Sequence, residues 1–337
     1  MKAVVASDLH LTDQPRAAYR FDVFPFLRTK IKQYHPDALL LLGDLTDFKD
    51  KHPADLVNRL VAELVKLANL CPVYLLKGNH DYIEATEPFF LFAKNLRARY
   101  PIVYINRPTR LELGGSKVLF LPHTRTPDVD WKGMSFADTN YIFLHQTLNG
   151  ARSSNGQSME GASYTIFDDA PGLVMSGDIH VPQKIGNVNY VGSPYHINFG
   201  DSFKPRCVSL DGYKITSLRL ATLSMHTVNI SEPEELAKVK NIKPGDYVKI
   251  RIQLTDLDSM NWSSKKQEAI TIAEGFDAGE IVVELVDARK GRKSKSDGEA
   301  SPQARPANSK KIFDGYCQSR EIGGSLRKVG QTIVESA

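Results

Sequence analysis

The 337-residue sequence is poor in cysteine and contains no long hydrophobic run. Its three cysteines, Cys71, Cys207 and Cys317, are odd in number and far apart, which argues against a disulfide scaffold or a cysteine zinc site. No apolar stretch approaches the roughly 20 residues that span a bilayer. The N-terminal apolar segment reaches Asp8 too soon for a signal peptide. We therefore expect a cytoplasmic protein with reduced thiols and no membrane partner.

The sequence also has little net charge. The formal value of +4 is only weak evidence for a nucleic-acid partner. Hydrophobic residues make up 42% and charged residues 24%, which is ordinary for a globular protein. A length of 337 residues suggests two domains rather than one. Composition thus indicates an ordinary globular protein, and evidence for its function must come from local motifs.

Four short strings in the first 180 residues contain the side chains that bind divalent metals. A lone histidine, His145, lies between the third and the fourth string. The strings are Asp8-Leu9-His10, Gly43-Asp44, Gly78-Asn79-His80-Asp81 and Gly177-Asp178-Ile179-His180. Carboxylate, imidazole and amide ligands together suit two adjacent divalent ions, which can clamp a phosphodiester and activate water. The motifs therefore indicate phosphoester hydrolysis.

Each ligand position follows a short apolar segment that is typical of a buried strand. These segments are Val4–Ser7, Ala38–Leu42, Val73–Leu76, Tyr141–Leu144 and Leu173–Met175. Helical patterns lie between the first of them, from Asp22 to Tyr34 and from Leu56 to Val65. In open α/β sheets, sites form at the carboxyl ends of the strands, so this placement supports the metal-site interpretation.

The second half of the chain changes character. We predict an α/β domain with the metal-binding strings over 1–210 and a smaller α+β capping domain over 215–288, with strands Tyr247–Leu254 and Glu280–Leu285 and a helix near Ser264–Ala273. Residues 289–311 contain eight Lys and Arg and no apolar periodicity, which predicts a disordered basic linker. Residues 312–337 then form a short amphipathic helical tail.

The ordered set of strings resembles the calcineurin-like metallophosphoesterases. That resemblance implies a two-sheet β-sandwich flanked by helices. Gly43-Asp44-Leu45-Thr46-Asp47 runs on into Phe48-Lys49, unlike the protein Ser/Thr phosphatase branch. Two further strings are similar to the SbcD-type DNA repair nucleases, Tyr190-Val191-Gly192-Ser193-Pro194-Tyr195 followed by Phe199-Gly200-Asp201, and Ile179-His180-Val181-Pro182-Gln183. The chain is short for that branch, as a bacteriophage version would be.

The resemblance implies a role for each ligand position. One metal would be bound by Asp8, His10 and His180, and the other by Asn79, His145 and the residue at position 178, with Asp44 bridging them. The implied ion is Mn²⁺, with Mg²⁺ as the alternative. His80 resembles the family's catalytic histidine, which is not a ligand and acts on the leaving oxygen. Ser193 either shapes a DNA-facing, substrate-binding rim or belongs to a simple turn.

One ligand departs from the family pattern. Asp178 stands where the family has the first histidine of Gly-His-x-His. Either Asp178 still ligates through oxygen, which Mn²⁺ accepts, or the second metal site is degraded. Five histidines match no ligand string, and of these only His123 and His196 are candidates for lining the cleft. The five are His35, His52, His123, His196 and His226.

Three functions fit these observations. The first is a Mn²⁺-dependent DNA nuclease with 3′→5′ exonuclease and endonuclease activity in DNA repair, recombination or replication. The others are a small-nucleotide phosphodiesterase and, if the second metal site is empty, a non-catalytic DNA-end-binding scaffold. The resemblance also implies an SMC-like coiled-coil ATPase that binds the tail. The helix with Leu56, Leu60 and Leu64 is either ordinary core packing or, by the same resemblance, part of a homodimer contact.

Overall fold

The computed structural model of the chain describes residues 1–49, 51–82, 87–254 and 262–287. The expected basic linker 289–311 and helical tail 312–337 lie outside the described residues. Met1–Asp287 forms one compact unit. No described helix is long and apolar enough to cross a membrane.

Fifteen strands and five α-helices form the described part of the chain. The strands are β1 (Lys2–Ala6), β2 (Ala38–Leu41), β3 (Val73–Leu76), β4 (Ile102–Ile105), β5 (Thr109–Leu113), β6 (Ser116–Leu121), β7 (Tyr141–His145), β8 (Leu173–Gly177), β9 (Gln183–Ile185), β10 (Val188–Tyr190), β11 (Cys207–Asp211), β12 (Lys214–Leu218), β13 (Met225–Ile230), β14 (Tyr247–Leu254) and β15 (Glu280–Asp287). The helices are α1 (Val23–Tyr34), α2 (Ala54–Ala68), α3 (Ala93–Leu96), α4 (Pro127–Asp130) and α5 (Trp262–Glu274).

Two six-stranded mixed sheets dominate the fold. The first has the order β12-β11-β1-β2-β3-β4, and the second has the order β5-β6-β7-β8-β10-β9. Strands β1 to β4 are parallel, as are β6, β7, β8 and β10, while β11 and β12 in the first sheet and β5 and β9 in the second pair antiparallel with their neighbours. Parallel neighbours end at a common edge, so each sheet gathers its carboxyl-terminal loops on one side. The expected metallophosphoesterase sandwich is confirmed.

Side-chain alternation along the strands separates two cores. Val4 and Leu39 belong to a core that includes the helices α1 and α2, whereas Val5 and Leu40 belong to a second core that also contains Phe143 of the other sheet. Successive strand side chains point to opposite faces, so a strand covered on both faces is apolar throughout. This explains the uninterrupted apolar run that precedes Asp44.

The helices largely follow the sequence pattern. Helix α1 begins at Val23, with Asp22 at the N-cap position, but Asp22 makes no side-chain capping bond because a 3-10 helix, Pro15–Asp22, runs directly into α1. In α2, Leu56, Leu60 and Leu64 are buried in the core next to the first sheet.

A third sheet follows the sandwich and has its own small core. Its three strands, in the order β13-β14-β15, are all parallel, and α5 provides the crossover between the last two. Val248, Ile250 and Ala269 pack in a cluster separate from the two larger cores. The capping-domain boundaries at 215 and 288 stay a prediction, since residues 1–287 form one unit by their contacts.

Candidate active site

All seven candidate ligands and His80 lie at one edge of the sandwich. Asp8 and His10 follow β1, Asp44 follows β2, and Asn79 and His80 follow β3 in the first sheet. The second sheet contributes its ligand positions from the ends of β7 and β8, namely His145, Asp178 and His180. The structure thus brings together residues up to 172 positions apart in sequence through the common edge of two sheets.

Glycines in the ligand strings are required by close packing. Gly43 has φ +90°, and a β-carbon there would overlap the ring of His145. A β-carbon on Gly78 would overlap the Asp44 carboxylate. Any larger residue would push a candidate ligand away from the site, which explains why glycine accompanies the ligands at these positions.

Four candidate ligands have a left-handed backbone. The φ angles are +57° at Asp8, +41° at His10, +51° at Asp44 and +81° at Asp178. Among the described residues only three other non-glycine residues have positive φ. Such backbone conformations cluster at functional sites because the surrounding fold imposes them. The loops here direct side chains toward a common point, and this requires strained backbone conformations.

The first half of the site consists of Asp8, His10 and His180. Their ligand atoms all lie within 4.8 Å of one another. The Nε2 atoms of His10 and His180 face each other at 3.0 Å, and Oδ2 of Asp8 is buried without a hydrogen-bond partner. A buried carboxylate oxygen without a donor is costly unless a cation neutralises it. This half therefore fits a divalent ion.

The second half surrounds Nε2 of His145. That atom lies 3.3 Å from Oδ1 of Asp44, 3.4 Å from Oδ1 of Asn79 and 3.7 Å from Oδ1 of Asp178. The other ring nitrogen of His145, Nδ1, donates to the carbonyl oxygen of Leu42 at 2.5 Å. In a neutral ring Nε2 would then present a lone pair to three oxygens. A positive charge is needed there, either a second proton on His145 or a metal cation.

Asp44 lies between the two halves. Its Oδ2 is 3.5 Å from Nε2 of His10, while its Oδ1 is 3.3 Å from Nε2 of His145 and accepts the backbone N–H of His80 at 2.9 Å. One oxygen thus faces each half, which is the geometry that a bridging carboxylate needs.

The protonation of the protein groups reflects their mutual charges. Burial lowers the pKa of His145 and raises that of Asp44, but their attraction outweighs it and moves both pKa values the other way. Burial also raises the pKa of Asp8 to about 6 and lowers the pKa of His180 to about 4. Carboxylates and imidazoles sharing one buried space are the donor set that Mn²⁺ and Mg²⁺ accept. The residues fit a pair of divalent ions.

His80 stands beside this ligand set. It lines the same cavity, and its Nδ1 donates to the carbonyl oxygen of Asp47 at 2.9 Å, which leaves Nε2 for a ligand or substrate. His80 also forms a possible metal-binding group with His10 and Asp44 by distance. Geometry alone therefore allows both the predicted catalytic role and a ligand role.

Three supporting residues escaped the sequence analysis. The carboxylate of Asp47 lies 3.2 Å from Nδ1 of His10 and 3.7 Å from the buried guanidinium of Arg20. Arg20 also donates to the carbonyl oxygen of His10 at 2.5 Å. Thr147 donates its hydroxyl proton to Oδ2 of Asp178. Asp47 closes the Gly43–Asp47 string and could have been noticed there, whereas no sequence signal marks Arg20 or Thr147.

Other expected cleft residues lie elsewhere. Ser193 is fully buried, and its hydroxyl donates to the carbonyl oxygen of Asp8 at 3.2 Å, so it supports a ligand loop instead of a substrate-facing rim. His196 contacts the carbonyl oxygen of Phe203 at 2.9 Å, and His123 contacts Tyr82. Neither histidine lines the metal-site cavity.

A groove leads away from the ligands. The metal-site cavity has a volume of about 300 Å³, and a neighbouring cavity of about 280 Å³ is lined in part by the third sheet. The two cavities share Arg16, Arg20, Ile197 and Asn198 in their linings. The third sheet therefore borders a surface that begins at the metal ligands.

Fold and site together define a metallophosphoesterase. A model of the calcineurin-like phosphoesterase family matches residues 1–182, more than half of the chain. The chain belongs to this family, and its site is a phosphoesterase site with candidate ligands for divalent metals.

Several relatives found by sequence comparison have different names and cover different shares of the chain. A putative phosphoesterase of Invertebrate iridescent virus 6 is 23% identical over 251 residues, which cover 70% of this chain and 80% of that protein. The DNA polymerase II small subunit of Thermoplasma acidophilum is 25% identical over 225 residues, 56% of this chain and 43% of that protein. A UDP-2,3-diacylglucosamine hydrolase of Shewanella pealeana is 26% identical over 191 residues, 52% of this chain and 75% of that protein.

Proposed function

We propose that the chain is a metal-dependent DNA nuclease that hydrolyses phosphodiester bonds at a two-ion centre, with Mn²⁺ as its ion. The observation that carries this proposal is the groove that continues from the metal-site cavity to the third sheet. A small nucleotide fills one cavity and leaves the other unused, whereas a polynucleotide strand has repeating phosphates and bases for both.

The second cavity has the groups that bind a single strand. Phe199 and Tyr247 line it and offer aromatic rings for base stacking. Arg16 and Lys249 line it as well, with Lys249 Nζ at 5.8 Å from the ring centre of Phe199. Glu280 is the one carboxylate in the lining and lies 3.8 Å from Arg16. Cations thus outnumber acids, as a polyanion requires.

The site residues divide into ion-holding and proton-handling groups. The ions would be held by Asp8, His10, Asp44, Asn79, His145, Asp178 and His180. Two divalent ions supply positive charge at the phosphate and an activated water. His80 would protonate the leaving oxygen through Nε2, because its Nδ1 is committed to the Asp47 carbonyl. Burial lowers the pKa of His80, which makes its protonated form a stronger acid but less populated at neutral pH.

The relatives give limited support for DNA. One of them is named as a subunit of a DNA polymerase, and another as a hydrolase of a UDP-linked glucosamine. The strings around Ser193 and Phe199, which are similar to the SbcD-type nucleases, favour DNA. The same similarity leads us to propose a homodimer and an SMC-like ATPase partner that binds residues 312–337. Deleting those residues should abolish co-purification of such an ATPase and leave exonuclease activity intact.

A substrate comparison tests the proposal. Turnover of a labelled single-stranded oligonucleotide, a dinucleotide and bis-p-nitrophenyl phosphate should be measured with Mn²⁺, alongside the number of bound ions. A nuclease should prefer the oligonucleotide in kcat/KM. Preference for the dinucleotide would instead indicate a small-nucleotide phosphodiesterase. DNA binding with one ion and no turnover would indicate a scaffold.

A matched pair of variants tests the groove. Lys249→Gln should lower kcat/KM for the oligonucleotide more than for bis-p-nitrophenyl phosphate, because the latter is too small to reach the third sheet. Lys214→Gln removes the same charge from β12, where Lys214 pairs with Asp211, at the edge of the sheet away from the ligands. Equal losses in the two variants would show a general charge effect and count against the groove.

A further inference from the structure

A second group of cations adjoins the site away from the groove. Lys77 lies between β3 and Gly78, and Arg125 follows β6, with Tyr82 and His123 between them. None of the four lines either cavity of the groove. We call Lys77, Tyr82, His123 and Arg125 the basic cluster. It is a feature that the ligand motifs do not account for.

The basic cluster is organised around one aromatic ring. Nζ of Lys77 lies 4.3 Å from the ring centre of Tyr82, and the guanidinium carbon of Arg125 lies 5.3 Å from it. The Tyr82 hydroxyl donates to the carbonyl oxygen of His123 at 3.0 Å. The ring centres of His123 and His145 are 6.3 Å apart, so the basic cluster adjoins the second half of the metal site.

The cations of the basic cluster lack acidic partners. Lys77 is only 8% exposed, yet no carboxylate of the described residues lies within 4.0 Å of Lys77 or Arg125. By contrast the buried Arg20 has Asp47 beside it. The face of one tyrosine offsets only a small part of the hydration that a cation loses on burial.

Each nearby acid has one carboxylate oxygen hydrogen-bonded to another group. Oδ2 of Asp81 accepts the backbone N–H of Gly78 at 2.6 Å, and Oδ2 of Asp130 accepts the hydroxyl of Thr126 at 3.1 Å. Two cations around one ring repel each other, so an anion bound between them would lower the energy of the folded protein. The arrangement is that of an anion site beside a phosphoesterase centre.

We propose that Lys77 and Arg125 bind the substrate phosphate that neighbours the scissile phosphate, on the side of the metal site away from the third sheet. The ligand class is a nucleic-acid phosphodiester. Arg125 offers a planar fork of donors and Lys77 a compact charge. The inference rests on the proposed nuclease function. It adds that the nucleic-acid strand passes across the metal site, with the cations of the groove on one side and those of the basic cluster on the other.

Salt-dependent DNA binding tests the proposal without turnover. Binding of a fluorescein-labelled single-stranded oligonucleotide is measured by anisotropy in EDTA and again with Ca²⁺, over a range of salt. Each phosphate contact contributes about 0.7 to the slope of log Kd against log salt for a single strand. Arg125→Gln and Lys77→Gln should each reduce that slope by about this amount and weaken binding several-fold at low salt. Arg125→Lys should keep the slope.

The control is an arginine in a similar setting. Arg99 is exposed and stacks on Tyr100 at 5.8 Å, at the opposite edge of the sheet, so Arg99→Gln should bind like wild type. Arg125 is exposed, so its variant folds even if Lys77→Gln fails to. Unchanged slopes in Arg125→Gln, or an equal loss in Arg99→Gln, would overturn the subsite. Oligonucleotide cleavage, assayed separately, decides the nuclease proposal whichever way the slopes fall.

Discussion

The two halves of the metal site are held by different means. The first half, with Asp8, His10 and His180, brings two imidazole nitrogens to 3.0 Å from each other and is supported by Asp47 and Arg20. The second half sets one imidazole, His145, among oxygens from three side chains. Because Asp178 replaces a histidine of the family pattern, three carboxylates leave a net charge of +1 with two divalent ions, where two would leave +2. The comparison teaches that this chain departs from its family in one half only.

Removing Asp44, the candidate ligand that both halves share, should abolish metal binding in both halves. Asp44→Ala deletes the carboxylate that faces both His10 and His145, so we expect loss of both ions and of all hydrolysis. Metal content and turnover of bis-p-nitrophenyl phosphate measure this. Asp168→Ala, at an exposed position, is the control. Near-normal turnover in Asp44→Ala would refute the bridging role.

The next largest effect should come from His80, which stands nearer the first half. His80→Ala should keep both ions and lower the rate by about 10²-fold, because the proposed role of the lost group is to protonate the leaving oxygen. Calorimetric Mn²⁺ titration beside single-turnover kinetics separates rate from binding. Loss of one metal equivalent would show that His80 is a ligand of the group it forms with His10 and Asp44.

Asp178 tests the second half directly. Asp178→Ala should weaken the second Mn²⁺ and spare the first, since the first half has its own three ligands. Asp178→His restores the family's charge and should bind phosphate more tightly, because the centre becomes more positive. Titration of all three forms decides. One ion in wild type, with no change in Asp178→Ala, would favour the scaffold function.

The smallest effect should come from Thr147, which holds Asp178 through its hydroxyl. Thr147→Val keeps the shape but removes the donor, and we expect about a 10-fold loss in affinity for the second ion only. Thr147→Ser keeps the hydroxyl and should retain most of the affinity for the second ion. The two halves would prove coupled if Thr147→Val weakened both ions equally.

The sequence predicted the candidate ligands because each lies at or just after the carboxyl end of a strand. Val4, Leu39 and Val73 are buried in strands whose carboxyl ends carry Asp8, Asp44 and Asn79, so pattern and topology agree there. Arg20 was missed because only tertiary packing brings the 3-10 helix Pro15–Asp22 to the site. Thr147, two residues after His145, was missed because a threonine hydroxyl is not a usual metal ligand. The two-sheet arrangement came from the family resemblance, since apolar periodicity cannot say which strands share a sheet.

The third sheet shows the same limit on what one sequence can predict. Strands β14 and β15 and helix α5 were predicted to within three residues, as local patterns allow. The parallel pairing of β13 with β14 joins residues 22 positions apart. The cavity beside Arg16 depends on a contact between residues 231 positions apart, the Tyr247 hydroxyl on the Arg16 carbonyl at 2.5 Å. Such contacts have no signature in one sequence.

The left-handed backbone conformations of Asp8, His10, Asp44 and Asp178 have a consequence for the stability of the folded protein. Each costs on the order of 1 kcal/mol, and the three carboxylates among them repel one another inside the fold. Bound ions offset that repulsion, and at 100 times the dissociation constant one ion adds about 2.7 kcal/mol to the free energy of unfolding. Heat and protease resistance should therefore rise with Mn²⁺ supply and fall with a chelator, as thermal melting can show. A cell short of the divalent ion would then lose this protein by degradation as well as its activity.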